Sequence, residues 1–197
     1  MADHIRARIT EELRQITAIL EEITNRTSRW NGTVELVRDA GFKGLKPFHC
    51  SIFMAEDLAE EDVRWRTLIH EALHALSAGY NSTDFEANRG WEEGTVEQLQ
   101  RLIRPIVLAR MKVLPNEAAM MQIEENHLFN AYIKALEDVR EALGRENQEF
   151  YLTLLKTPIR DRYTLCVQAA ISSTGDNRRK AVEVLSAASP ILKGRLL

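Results

Sequence analysis

Apolar residues return every three or four positions along most of this chain, and that spacing confines it to a largely helical architecture. Between residues 4 and 23, Ile5, Ile9, Leu13, Ile16, Ile19, Leu20 and Ile23 share one face, with charge on the other. The same grain predicts helices at 91–112, 116–143, 146–156, 161–173 and 177–188, punctuated by Pro115, Gly144, Pro158 and Gly175. One stretch departs from it. From Gly32 to Phe53, the runs Thr33 to Val37 and Phe48 to Phe53 are short and β-prone, separated by Gly41, Gly44 and Pro47, which predicts two or three strands of a small sheet. Glu56, Glu60, Glu61 and Asp62 then crowd the expected start of a helix running to Ala78, where they complement its dipole, and Gly79 ends it. Residues 79–90 are polar and turn-rich, a predicted loop. The expectation is an α+β chain forming a single domain over 1–197, with an α+β lobe at 1–90 and a helical lobe at 91–197.

Composition narrows the function classes. With 197 residues, 45% of them hydrophobic, the chain can bury roughly 70% of its unfolded surface without staples, so a metal here is expected to serve chemistry. Its 26 Lys and Arg are interspersed with 29 Asp and Glu, giving a net charge of −3 and no basic field for a nucleic-acid partner. No uncharged apolar run approaches the ~20 residues that span a bilayer, and the charged first residues do not resemble an export signal. Cys50 and Cys166 lie far apart and form no C-x-x-C pair, which suits a reducing compartment; the expected location is the cytoplasm.

Residues 68–76 contain H-E-x-x-H at His70, Glu71 and His74 inside the predicted helix. Histidines four apart stack on one helix face and can grip one metal ion, with Glu71 beside them as a base for water. Chance alone supplies such a match at about one in a hundred for this composition. Context argues further: Trp65, Leu68, Ile69, Ala72, Leu73 and Leu76 share a broad apolar face, and both histidines fall off it. A catalytic zinc site normally has three protein ligands and an open position, so a third ligand is required. Glu93, at the start of the next predicted helix, is the best candidate. Glu97 lies one turn further along the same face, where a carboxylate orients a ligating histidine, and Gln100 and Arg104 continue the stripe.

These residues resemble the gluzincin clan of zinc metallopeptidases, the thermolysin and aminopeptidase N kind, in which a glutamate ligand on a second helix follows H-E-x-x-H. Eighteen residues separate His74 from Glu93, as in the aminopeptidase N branch, and Trp91-Glu92-Glu93-Gly94 is similar to that branch's W-x-N-E-G with Glu92 in place of asparagine. Glu97, four residues after Glu93, resembles the thermolysin-type E-x-x-x-D. The likeness covers residues 65–104. It implies a zincin-like fold, a Zn2+ cofactor held by His70, His74 and Glu93, Glu71 as general base, and a peptide or protein substrate. Phe53-Met54-Ala55-Glu56-Asp57 does not match the exopeptidase strand G-x-M-E-N, which points to an endopeptidase rather than an aminopeptidase.

The resemblance also implies a Tyr or His that stabilises the oxyanion, for which Tyr132, His127, Tyr151 and Tyr163 are available; Tyr132 is preferred, with packing as the competing role. Tyr80 could reach the cleft or cap a hydrophobic edge. The strand at Phe48 to Phe53 is expected at a sheet edge where an extended substrate pairs, or else inside the sheet. Cys50 is the alternative third ligand, as in peptide deformylase, although a buried thiol in a strand needs no such role. Arg160 and Arg162 could meet a substrate carboxylate, but charged residues near a helix start are usually solvated. Two functions compete with peptide hydrolysis: a metal-stabilised or inactive protein-binding scaffold, and a metal-dependent hydrolase of another substrate.

Overall fold

The computed structural model describes residues 2–38, 41, 44–45 and 51–194. In chain order the elements begin with α1 (Ala2–Thr24), β1 (Val34–Val37), β2 (Gly44–Leu45), β3 (Ile52–Ala55), α2 (Arg64–Leu76), α3 (Ser82–Ala87) and α4 (Arg89–Met111). Then come α5 (Glu117–Glu125), α6 (Asn130–Ala142), α7 (Asn147–Lys156), α8 (Arg162–Ser172) and α9 (Gly175–Leu192). The chain is thus mostly helical with one small sheet, as the periodicity predicts. It gathers into two compact units, Met1–Leu76 with Gln100–Glu125, and Ser77–Leu99 with Asn126–Leu197. The boundary expected at residue 90 falls inside the second unit.

In the first unit, α1 turns Ile9, Leu13, Ile16 and Leu20 inward, all fully buried, and packs on α2 and β1. The spacing of four, three and four is what one helix face requires. The sheet order is β1-β3-β2, with β1 parallel to β3 and β2 antiparallel to it, Gly44 opposite Met54. Ile52 and Met54 are fully buried, which suits a central strand. This corrects the expected edge position of the Phe48 to Phe53 run. The described strand starts at Ile52, lies between its two partners, and leaves the short β2 at the edge; Phe48 to Cys50, and so the Cys50 alternative, lie outside the described residues.

The acidic run does not open α2 directly. Glu56–Glu60 forms a tight 3-10 turn, Glu61 is extended, and α2 begins at Arg64 with the Asp62 and Glu61 carbonyls receiving its first N–H groups. From Trp65 to Leu76 every residue of α2 is buried, so the face opposite the apolar one is turned to protein too.

In the second unit, α9 packs on α6 and α8 around Leu136, Val139, Ala170, Ala181 and Leu185. The expected loop at 79–90 contains α3, capped by the Asn81 side chain accepting the Asp84 N–H at 3.0 Å. The Asn-Ser-Thr-Asp run carried that signal. The helix expected at 116–143 is two helices. Neither Gly nor Pro marks the break at 126–129, where Asn130 and Ile133 start a new helix on the His127 and Phe129 carbonyls. Among the described residues no helix is long and apolar enough to cross a membrane.

Candidate metal centre

His70 and His74 sit one turn apart on α2, 7% and 4% exposed, with rings 4.9 Å apart at an interplanar angle of 78°. Their Nε2 atoms are 3.2 Å apart. Two nitrogens on one tetrahedral zinc, at Zn–N distances of 2.0–2.1 Å, stand about 3.3 Å apart. The same separation serves an N–H···N hydrogen bond between the rings, its direction set by the tautomer. Glu93, on the second turn of α4, is buried as well. One ligand atom from each of His70, His74 and Glu93 lies within 4.8 Å of the other two, the one such group of three among the described residues. A tetrahedral ion asks for roughly 3.4 Å, so side-chain adjustment on the order of 1 Å brings all three into range. Two imidazoles and a carboxylate form a donor set suited to zinc, so these residues fit the ion.

Glu71 follows His70 and is 6% exposed. Its carboxylate lies against the edge strand: a Cβ on Gly44 would stand 2.8 Å from Glu71 Oε1 and 2.4 Å from Thr67 Cγ2. The missing side chain at Gly44 is therefore what lets β2 approach the base, a close approach that only glycine permits.

The stripe continuing from Glu93 along α4 is buried throughout, with Glu97 and Gln100 fully buried and Arg104 4% exposed. Arg104 donates to Gln100 Oε1 at 3.3 Å and pairs with Glu124 and Glu117 of α5. The first turn of α4 has its own anchor. Arg162, fully buried, donates to the Trp91 carbonyl at 2.9 Å, to Ser77 Oγ at 2.7 Å and to the Thr157 carbonyl at 3.2 Å, and pairs with Glu92 at 2.8 Å. Ser77 completes the ring by donating to Glu92 Oε2 at 2.7 Å. Arg162 thus holds the residue next to Glu93, which corrects the expectation that a charged residue at this helix start is solvated. The long separation from Glu92 hid the pair from sequence.

The aromatic candidates have packing partners. Tyr132 stacks on Phe129 and fills the space over two α4 glycines: a Cβ on Gly90 would meet its Cδ1 at 2.7 Å, and one on Gly94 its Cβ at 3.0 Å. These contacts account for its burial. Tyr151 donates to Glu137 Oε1 at 2.6 Å, and burial with that hydrogen bond pushes its phenol pKa upward. Tyr163 meets Trp91 edge-on, Tyr80 meets Phe85, and His127 meets Phe129. Arg160 pairs with Asp161 at the surface. Cys166 is a free buried thiol whose pKa burial pushes up to about 12, which keeps it protonated and inert at neutral pH.

No family model matches this chain, and neither does any curated protein or solved structure.

Proposed function

We propose that this chain is a zinc-dependent peptide hydrolase, an endopeptidase of the gluzincin kind with a zincin-like catalytic core. The observation that carries the reading is the buried convergence of His70, His74 and Glu93 ligand atoms within 4.8 Å. Their order in sequence supports it, since H-E-x-x-H followed by a glutamate on the next long helix is the ligand pattern of that clan. Burial is consistent with it too: the three donor side chains stand at 4 to 7% exposure, away from bulk water. The free Cys166 thiol suits the reducing cytoplasm as the working compartment.

In this proposal His70, His74 and Glu93 hold the ion, which supplies Lewis acidity that polarises a carbonyl and lowers the pKa of water from 15.7 towards ~7. Glu71 acts as the general base. It takes a proton from the attacking water as the oxygen bonds to the carbonyl carbon, then delivers it to the amine nitrogen as the C–N bond breaks. The backbone of β2 at Gly44 passes close beside the Glu71 carboxylate. Glu97 is assigned to orienting a ligating imidazole, from its position one turn beyond Glu93. The proposal gives Tyr132 no chemical role.

The experiment is metal analysis of the purified protein joined to cleavage of a denatured-protein mixture, for the native chain and for Glu71→Gln and Glu93→Ala. Glu71→Gln retains zinc at about one per chain and loses turnover by at least ~10³-fold. Glu93→Ala loses most of the zinc. Peptide cleavage that persists in Glu71→Gln removes the assigned base; zinc bound without any chelator-sensitive cleavage turns the reading to the metal-stabilised scaffold.

A further inference from the structure

Arg66 lies one turn before His70 on the same face of α2, about 6 Å along the helix axis. It is 7% exposed. Its Nε stands 3.6 Å from Glu124 Oε1, and the same carboxylate takes the Arg104 guanidinium and a hydrogen bond from Gln100 Nε2 at 3.1 Å. Arg104 Nη2 also reaches Glu124 Oε2 at 3.4 Å. Two guanidiniums and an amide from two helices thus converge on one carboxylate, with the Arg66, Arg104 and Glu124 side chains 9%, 5% and 12% exposed. Such a buried cluster is a poor device for stability, because desolvation offsets most of the attraction. It is a good device for recognising carboxylate, since guanidinium forks match that geometry.

The carboxylate is carried by a short element. α5 has nine residues, fewer than the ~12–15 at which isolated helices become marginal, and of its side chains Met120 alone is buried. Met121 and Ile123 are 59% and 40% exposed. Lys112, at φ 58°, breaks the chain direction before it, and 126–129 interrupts it after. Glu124 and Glu117, the latter on Arg104 at 3.3 Å, attach it together with the Asn116 N–H, which donates to Asp62 Oδ2 at 2.9 Å at its start.

We propose that Arg66 and Arg104 form a carboxylate-binding subsite beside the metal ligands, filled in this structure by the chain's own Glu124, and that the ligand it serves is a peptide whose carboxylate takes Glu124's place. The carboxylate comes from an acidic side chain or from a free C-terminus. Calling that peptide the substrate rests on the hydrolase reading; its binding does not. α5 then acts as a strap that yields to an acidic ligand and stays closed over a neutral one.

The test measures affinity by calorimetry for three probes: acetyl-Ala-Glu-Ala-amide, its Gln isostere, and acetyl-Ala-Ala-Ala with a free C-terminus. Each is titrated into the native chain and into Glu124→Gln, with zinc and with chelator. Because the native subsite is occupied by its own carboxylate, apparent affinity is reduced by the closed fraction. Glu124→Gln should bind the Glu probe, the free-carboxylate probe or both on the order of tenfold more tightly than the native chain does, with no gain for the Gln isostere. Which carboxylate probe gains identifies the source. Equal affinity for Glu and Gln probes in a folded Glu124→Gln overturns the proposal. Should that variant fail to fold, amide exchange of the native chain decides: the Glu or free-carboxylate probe speeds exchange across 117–125 and the Gln isostere does not, and unchanged exchange with all three overturns it. Both readouts work without turnover, so an inactive or zinc-free protein sinks the hydrolase reading and leaves the subsite to stand or fall separately.

Discussion

A methyl group added at Gly44 would sit 2.4 Å from Thr67 Cγ2, 2.8 Å from Glu71 Oε1 and 3.0 Å from Glu71 Cγ. Contacts that short force something to move, and the carboxylate end of Glu71 is the softest neighbour. If Glu71 is the base, its displacement by about 1 Å lowers turnover on the order of 10²-fold while zinc content stays the same. Gly44→Ala is therefore expected to separate chemistry from metal binding, read as kcat on a cleaved peptide beside the zinc-to-protein ratio. A variant with full activity would detach β2 from the base. The closeness of His70 and His74 was legible because helical geometry makes spacing in sequence a distance in space, whereas Glu93, on another helix, came from the need for a third ligand and from the resemblance. Gly44 was not legible, since its constraint comes from a side chain 27 residues later, and nothing local distinguishes it from a turn glycine.

The same contrast holds for whole elements. Helix existence followed from periodicity, so α1, α4, α7, α8 and α9 fall where the apolar spacing puts them, with ends shifted by a few residues. What periodicity cannot see is partnership. The 126–129 break lacks a local breaker, the central place of β3 depends on strands either side of it, and Arg162 finds Glu92 across 70 residues. That last pair decides how α4 begins. With both side chains at 0% exposure, removing the guanidinium takes a cationic partner from a buried carboxylate, which costs about 3–5 kcal/mol. That is a large part of the ~5–15 kcal/mol that holds a typical domain together. Arg162→Met should thus lower the denaturation midpoint severely. Adding Glu92→Gln removes the carboxylate's charge, so the double variant should cost less than the two single changes summed, by ~1–3 kcal/mol. Additive costs from chemical denaturation would show that the pair is not coupled.

At the scale of the molecule, the proposed zinc would act as a ligand of the native state. Size alone does not require it, because a chain of 197 residues has apolar surface enough for its own core. The folded protein is therefore expected to survive chelation, with a lower Tm. Free zinc at a hundred times its dissociation constant adds about 2.7 kcal/mol, and a chain of this length converts each kcal/mol into roughly 2–4 °C. The expected rise is about 5–10 °C. Glu93→Ala supplies the control. If losing that ligand weakens zinc ~100-fold, the same free concentration only equals the new dissociation constant and adds about 0.4 kcal/mol, a shift near 1 °C. Differential scanning fluorimetry at buffered zinc concentrations reads both numbers. A native Tm that ignores zinc, or a gain that persists whole in Glu93→Ala, would mean that imidazoles and carboxylate do not act on one ion, and the assignment of Glu71 as its base would go with it.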